Sequence, residues 1–213
     1  MKKLSLLLLL LPFIGFSQTY FGIKAGYTIS TVSFNPDNKS VLLPGEPLEL
    51  GVVVKFYDTK YVGFQGELYY TNRGYKAPYK EIWNIKRVNN YIELPVFIQF
   101  NINLSVVKMH FQAGPYAAYL ISSKEGYDST GSWKMNDVKF NILRDNRFDY
   151  GLLGGLGLSH EFSWGVIQAD VRIGYGFADL FDYTYTNMPK ESKAVVQSVN
   201  YCYLYNLSKR KNK

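Results

Sequence analysis

The chain has 213 residues, a net charge of +7, one cysteine, and an aromatic content of 17%. That length holds one domain with little to spare. The lone Cys202 excludes an internal disulfide, and no linker, low-complexity tract or composition break divides the chain.

Met1-Lys2-Lys3 is a basic start, and Leu4 to Phe16 is an apolar run broken by Ser5, Pro12 and Gly15. Gly15 and Ser17 are small residues at the positions a signal peptidase reads if cleavage falls before Gln18. The run is short for a membrane-crossing helix, so residues 1–17 read as a cleaved secretory signal. No Cys follows the site, which argues against a lipid anchor. Residues 18–208 are the remaining domain, and 209–213 (Lys209-Arg210-Lys211-Asn212-Lys213) form a basic tail. A basic balance can suit nucleic acid, but an exported chain rarely meets it, so no nucleic-acid partner is expected.

From Gln18 onward the apolar residues recur every second position, the period of a strand and not of a helix. Eight strands are predicted. The first, Tyr20 to Ile29, sets Phe21, Ile23, Ala25, Tyr27 and Ile29 on one face and Lys24 and Thr28 on the other. The second, Leu48 to Tyr57, opposes Leu50, Val52, Val54 and Phe56 to Glu49 and Lys55. The third, Tyr61 to Thr71, opposes Phe64, Leu68 and Tyr70 to Gln65 and Glu67. The fourth and fifth are the clearest: NYIELPVFIQF from Asn90, then VVKMHFQAGPYAAYLI to Ile121. In them Ile92, Leu94, Val96, Ile98, Phe100, Met109, Phe111 and Tyr119 oppose Glu93, Gln99, Lys108, His110 and Gln112. The sixth, Phe148 to Phe162, opposes Tyr150, Leu152, Leu156 and Leu158 to Asp149, Ser159 and Glu161. The seventh, Val166 to Phe177, opposes Ile167, Val171, Ile173 and Tyr175 to Gln168, Asp170 and Arg172. The eighth, Ser198 to Leu207, opposes Val199, Tyr201, Tyr203 and Tyr205 to Asn200, Cys202 and Asn206.

The apolar faces carry no Lys, Arg, Asp or Glu; His160, near a strand end, is their one ionisable residue. A charge facing the bilayer midplane costs about 2–4 kcal/mol, so a lipid-facing surface excludes it. A soluble barrel would place the apolar residues inside. Many of these strands reach ten residues, enough to cross a bilayer when tilted. The connections alternate between short (58–60, 102–105, 163–165) and long (32–47, 72–89, 122–147, 178–197). Short turns on one side and long loops on the other suit a barrel inserted from the periplasm. An open edge in lipid would leave backbone groups unsatisfied, so the strands must close into a ring. The prediction is all-β, an eight-stranded antiparallel transmembrane β-barrel in the outer membrane, monomeric and in contact with outer-membrane lipid.

Four motifs bear a family likeness. Tyr91-Ile92-Glu93-Leu94-Pro95, Gln112-Ala113-Gly114-Pro115-Tyr116, Phe148-Asp149-Tyr150-Gly151 with Gly154-Gly155-Leu156-Gly157, and Phe21-Gly22-Ile23-Lys24-Ala25-Gly26 stand in order along nearly the whole mature chain. This set resembles the PorT-like outer-membrane β-barrel ("porin family") proteins of Bacteroidetes. The resemblance implies an outer-membrane barrel and, from the namesake, work beside envelope or secretion-complex proteins. It departs at the C-terminus, where the basic tail follows Tyr205 and Leu207 instead of a terminal aromatic residue.

Eight strands enclose an interior just wide enough for side chains to fill. The inward Lys24, Glu49, Lys55, Glu67, Glu93, Lys108, His110, Asp149, Asp170 and Arg172 therefore read as a luminal polar network that plugs the barrel. The alternatives are a narrow channel, or an enzyme at the barrel mouth built on His110 with Glu93 within reach on the neighbouring strand. A hydrogen-bonded His in a polar plug is the plainer reading, and no catalytic residues, cofactor or metal are expected. No His or Cys pair stands at metal-ligand spacing, and Gly151 to Gly157 lacks the helix and Lys of a phosphate loop. The aromatic and basic residues of the long connections are candidate partner contacts, Tyr75, Tyr79, Trp83 and Trp133 above all.

Overall fold

The computed structural model describes residues 18–35, 41–44, 49–57, 61–79, 83–128, 133–182, 184 and 189–207. Residues 1–17, read above as a signal, and the basic tail lie outside them. Among the described residues ten strands run in chain order: β1 Gln18–Asn35, β2 Val41–Pro44, β3 Glu49–Tyr57, β4 Val62–Tyr79, β5 Trp83–Leu104, β6 Val107–Asp128, β7 Lys134–Asp137, β8 Phe148–Phe162, β9 Gly165–Asp179 and β10 Glu191–Asn206.

Eight of these close a ring. Each pairs antiparallel with its neighbours in the order β1-β3-β4-β5-β6-β8-β9-β10, and β10 returns to β1 from Tyr20↔Asn206 to Asn35↔Glu191. Closure leaves no edge to face lipid. The period-two reading holds across the ring: Ile23, Leu94, Ile98, Phe100, Leu152, Leu156, Ile173 and Tyr201 are exposed outward, while Lys24, Glu67, Gln99 and Arg172 are buried inside. Aromatic rings gather at both rims. Phe162 stacks on Trp164 at 4.8 Å and Trp164 meets Tyr203 at 5.5 Å on the short-turn side. Tyr150, Tyr175 and Phe177 cluster at the other. His160 is edge-on to Phe162 near the lower rim, with Nδ1 2.7 Å from the carbonyl oxygen of Val106. The β5–β6 hairpin turns through Ser105, whose φ of 55° is left-handed.

The long connections differ from expectation. β1 continues six residues past Ile29, β4 runs on to Tyr79, β5 starts at Trp83, β6 extends to Asp128 and β10 begins at Glu191. Much of what reads as loop is strand carried beyond the membrane. The outward apolar pattern stops there, because water has replaced lipid, but the backbone pairing does not. On the outer side β2 takes over from β3 as the strand between β1 and β4, with Ile29↔Pro44 on one side and Leu42↔Tyr75 on the other. Above Tyr119↔Phe148, β6 exchanges β8 for β7. The gap left between β7 and β9 is spanned by 141–147, bridged through Asp145↔Phe181, Asn146 N to Leu180 O at 3.1 Å and Asp182 N to Arg144 O at 2.8 Å.

Candidate functional site

The inward side chains form two storeys of charge. In the lower storey Lys24 donates to Glu67 at 3.1 Å and pairs with Glu49 at 2.9 Å. Arg172 grips Glu67 with both terminal nitrogens, at 2.8 and 2.7 Å, and pairs with Asp170 through Nε. Thr28 donates to Glu49. Lys55 donates to Gln168 at 2.9 Å, and Gln168 to Asp170 at 3.1 Å. Three cations (Lys24, Lys55, Arg172) thus face three carboxylates (Glu49, Glu67, Asp170), and the bidentate Arg172–Glu67 fork spans the lumen from β9 to β4. Room for it comes from Gly155 and Gly157 on β8. A Cβ there would come within 2.9 Å of Arg172 Cγ and 2.6 Å of Asp170 Cβ, respectively.

In the upper storey Arg73 is the hub. Its guanidinium pairs with Glu93 and, at 2.8 Å, with Asp149, and lies 4.9 Å from the Tyr116 ring. Tyr69 donates to Glu93 at 2.5 Å and Tyr116 to Asp149 at 2.9 Å. Arg73 Nε and Asp149 Oδ1 have no hydrogen-bond partner among the described residues, and both residues line a cavity of about 20 Å³, room for about one water.

Of the residues singled out in the sequence, Lys24, Glu49, Glu67, Asp170 and Arg172 come together in the lower storey, and Lys55 joins them through Gln168. Glu93 and Asp149 meet in the upper one. Lys108 does not belong to the sealed network: its side chain is 38% exposed at the short-turn rim, 3.5 Å from Glu161. His110 is buried inside, but the proposed pairing with Glu93 fails. His110 is in register with Asn101, and Glu93 with Ala118, eight residues away along the strand, or about 26 Å. Neither ring nitrogen of His110 has a hydrogen-bond partner among the described residues.

Arg73, Arg87 and Asp145 are buried charged residues in stretches that sequence reasoning assigned to loops. Arg73 continues the parity of Gln65, Glu67, Tyr69 and Thr71, so extending the same count was enough to find it. Above it the interior turns apolar: Val32, Tyr75, Ala77, Leu180 and Phe181 form a core closed by Phe34 and Ile85. Tyr75 is therefore no exposed contact. It is 4% exposed, edge-on to Phe34 at 5.1 Å, and burial pushes its hydroxyl up to about 12. Arg87 lies over the Phe181 ring and pairs with Asp145 at 3.3 Å. Burial alone would raise the Asp145 carboxyl. Hydrogen bonds from Arg144 and the Asn141 backbone, with the charges of Arg87 and Arg144, outweigh it and hold the group below the usual carboxylate range. Trp133 is half-buried with Lys76 Nζ 5.5 Å from its ring. The side chains of Tyr79 and Trp83 lie outside the described set.

A closed antiparallel ring with an apolar belt, aromatic rims and a charged interior defines an outer-membrane β-barrel protein. In agreement, the model of the family described as "Outer membrane protein beta-barrel domain" matches residues 16–182, and the chain belongs to that family. Its place is the outer membrane. Among solved structures it is similar to Ail, the attachment invasion locus protein of Yersinia pestis, at 18% identity over 87% of this chain and 98% of that one, with a TM-score of 0.43. Neisserial surface protein A is similar at 14% identity, 86% and 96% coverage and a TM-score of 0.45. OprG from Pseudomonas aeruginosa gives 10% identity, 90% and 95% coverage and a TM-score of 0.46. No curated protein matches the sequence.

Proposed function

We propose that this protein is a non-conducting barrel with a structural or accessory role in the cell envelope, of the PorT-like kind that its four motifs resemble. The observation that carries the reading is the two-storey plug. A solute would have to part Glu67 from Arg172 and Arg73 from both Glu93 and Asp149. Uncovering a buried charge by removing its partner costs about 3–5 kcal/mol. The enzyme reading has less behind it, because His110 has neither an acid nor a nucleophile in hydrogen-bond reach among the described residues.

The accessory role is supported by the outer end. The turn at 141–145 is tied by Asp145 accepting from the Asn141 N–H at 2.9 Å and by Arg144 and Asp145 N–H groups donating to the Asn141 carbonyl. This braced turn holds Ile142 and Leu143, which are 93% and 70% exposed. A rigid turn presenting two exposed aliphatic side chains fits an envelope or secretion-complex protein as partner. Planar-bilayer recording and in-cell photo-cross-linking from position 143 test the two halves. The expected result is a silent bilayer and one dominant cross-linked envelope protein. Steady single-channel steps overturn the plug, and a cross-link-free monomer overturns the accessory role.

A further inference from the structure

The outer wall above the membrane carries a graded set of cations on one face. On β4, β5 and β6, Tyr70↔Ile92↔Tyr119 is the last outward row that is wholly apolar or aromatic. Above it come Asn72↔Asn90↔Ser122, where Asn90 donates to Ser122 at 2.8 Å, then Gly74↔Val88↔Lys124, then Lys76↔Lys86↔Gly126↔Met135. Tyr75 and Arg87, the alternate neighbours of these lysines, are buried inside, so Lys76 and Lys86 face outward.

Lys76 and Lys86 are direct cross-strand partners, an arrangement that repels. The ion pairs among the described residues involve other cations, not Lys76, Lys86 or Lys124. Asp137, in register with Lys124, is the one acid on this face among the described side chains. Gly126 leaves a floor over which Met135 lies, and Lys76 is under the Trp133 ring. At the foot, Arg147 donates twice to the Leu120 carbonyl, at 3.0 and 2.9 Å, and lies 4.8 Å from the Tyr119 ring.

Height selects the ligand. Lys76 stands six residues beyond Tyr70 on β4, about 20 Å along the strand and about 15 Å in height at the usual tilt. A phospholipid headgroup layer is only about 5–7 Å thick. We infer that the outward face of β4–β7, with Arg147, Lys124, Lys86, Lys76 and Trp133, is a docking surface for an outer-leaflet glycolipid whose saccharide headgroup carries phosphates. Arg147 meets the phosphate nearest the acyl chains, the lysines meet those on outer sugars, and Trp133 offers an amphipathic ring to a sugar face.

The test uses the full-length barrel in phosphatidylcholine nanodiscs doped with a phosphorylated lipid A–core glycolipid, its dephosphorylated form, or phosphatidylglycerol. Extraction in mild detergent and native mass spectrometry then count the retained lipid. One lysine near an anionic membrane surface is worth about a fivefold gain. Replacing all three (Lys76→Ser, Lys86→Ser, Lys124→Ser) is expected to lower retention of the phosphorylated glycolipid at least about tenfold with the melting temperature unchanged. The dephosphorylated form and phosphatidylglycerol are expected to be retained weakly. The inference is overturned by equal retention by the triple variant, equal retention of the dephosphorylated form, or equal retention of phosphatidylglycerol. The last would mark the face as reading ordinary anionic lipid only. Retention of no lipid also sinks it and would assign the face to a protein.

Discussion

The same strands pass through two solvents, and their side-chain pattern reverses between them. Within the ring β4 points Gln65, Glu67, Tyr69 and Arg73 inward and Phe64, Leu68 and Tyr70 outward; beyond it the strand buries Tyr75 and Ala77 and turns Lys76 out. β5 does likewise, with Glu93 in and Leu94 out in the membrane region, then Ile85 partly buried inside and Lys86 outside. The ring keeps its charge on the inside because lipid will not take it. The cap above has water around it and can build the ordinary apolar core. The reversal locates the outer membrane boundary near Tyr70, Ile92 and Tyr119 without any measurement of depth.

The largest expected effect lies in the ring. Arg172→Ala leaves Glu67 and Asp170 buried with much of their compensating charge gone and should cost about 3–5 kcal/mol, read as a lower urea midpoint for unfolding from phospholipid bilayers. Replacing Arg172 and Glu67 together by Met should recover part of the loss, since it removes the stranded charge of Glu67 but leaves Asp170 with its bond from Gln168 and without Arg172. A neutral Arg172→Ala would mean that water reaches the lower storey.

The next test places one lysine on either side of the boundary on the outward face of β5. Ile98→Lys, near the middle of the span, should cost about 2–4 kcal/mol, whereas Asn84→Lys should stay within about 0.5 kcal/mol, in the same unfolding assay. Equal costs would show that the reversal of pattern does not mark the edge of the lipid.

The smallest effect is confined to the cap. Asp145 has a folded-state pKa below its unfolded value, so its contribution is fully present above the ordinary carboxylate range. It is lost as the pH falls through the lowered value. Acidification should therefore release the segment from Leu120 to Arg147, seen as faster amide exchange there than in β8 or β9. Asp145→Asn should reproduce the release at neutral pH, at a cost of about 1–3 kcal/mol. Unchanged exchange under both conditions would remove Arg87–Asp145 as the clasp of the cap.

The ring was legible because its rule is simple. Alternation of Ile92, Leu94, Val96, Ile98 and Phe100 with Glu93, Gln99 and Asn101 states both strand and face, and the lack of charge on one face states the solvent. The luminal residues followed from the same count, and so would Arg73 have done had the count continued past Thr71. The cap was less legible because the criterion used for strands was an apolar outward face, which ends where the lipid ends.

The sequence by itself determined the strands of the membrane ring, their inward and outward faces, and the compartment, because each depends only on alternation and on the cost of charge in lipid. Tertiary structure decided which charges meet. Register placed Glu93 beside Arg73 and about 26 Å from His110, and ring closure brought Arg172 of β9 across to Glu67 of β4. It also decided that the strands outlast the membrane and bury Tyr75. Contacts across a lumen depend on the stagger of every strand in the ring, and no single stretch of sequence contains that sum.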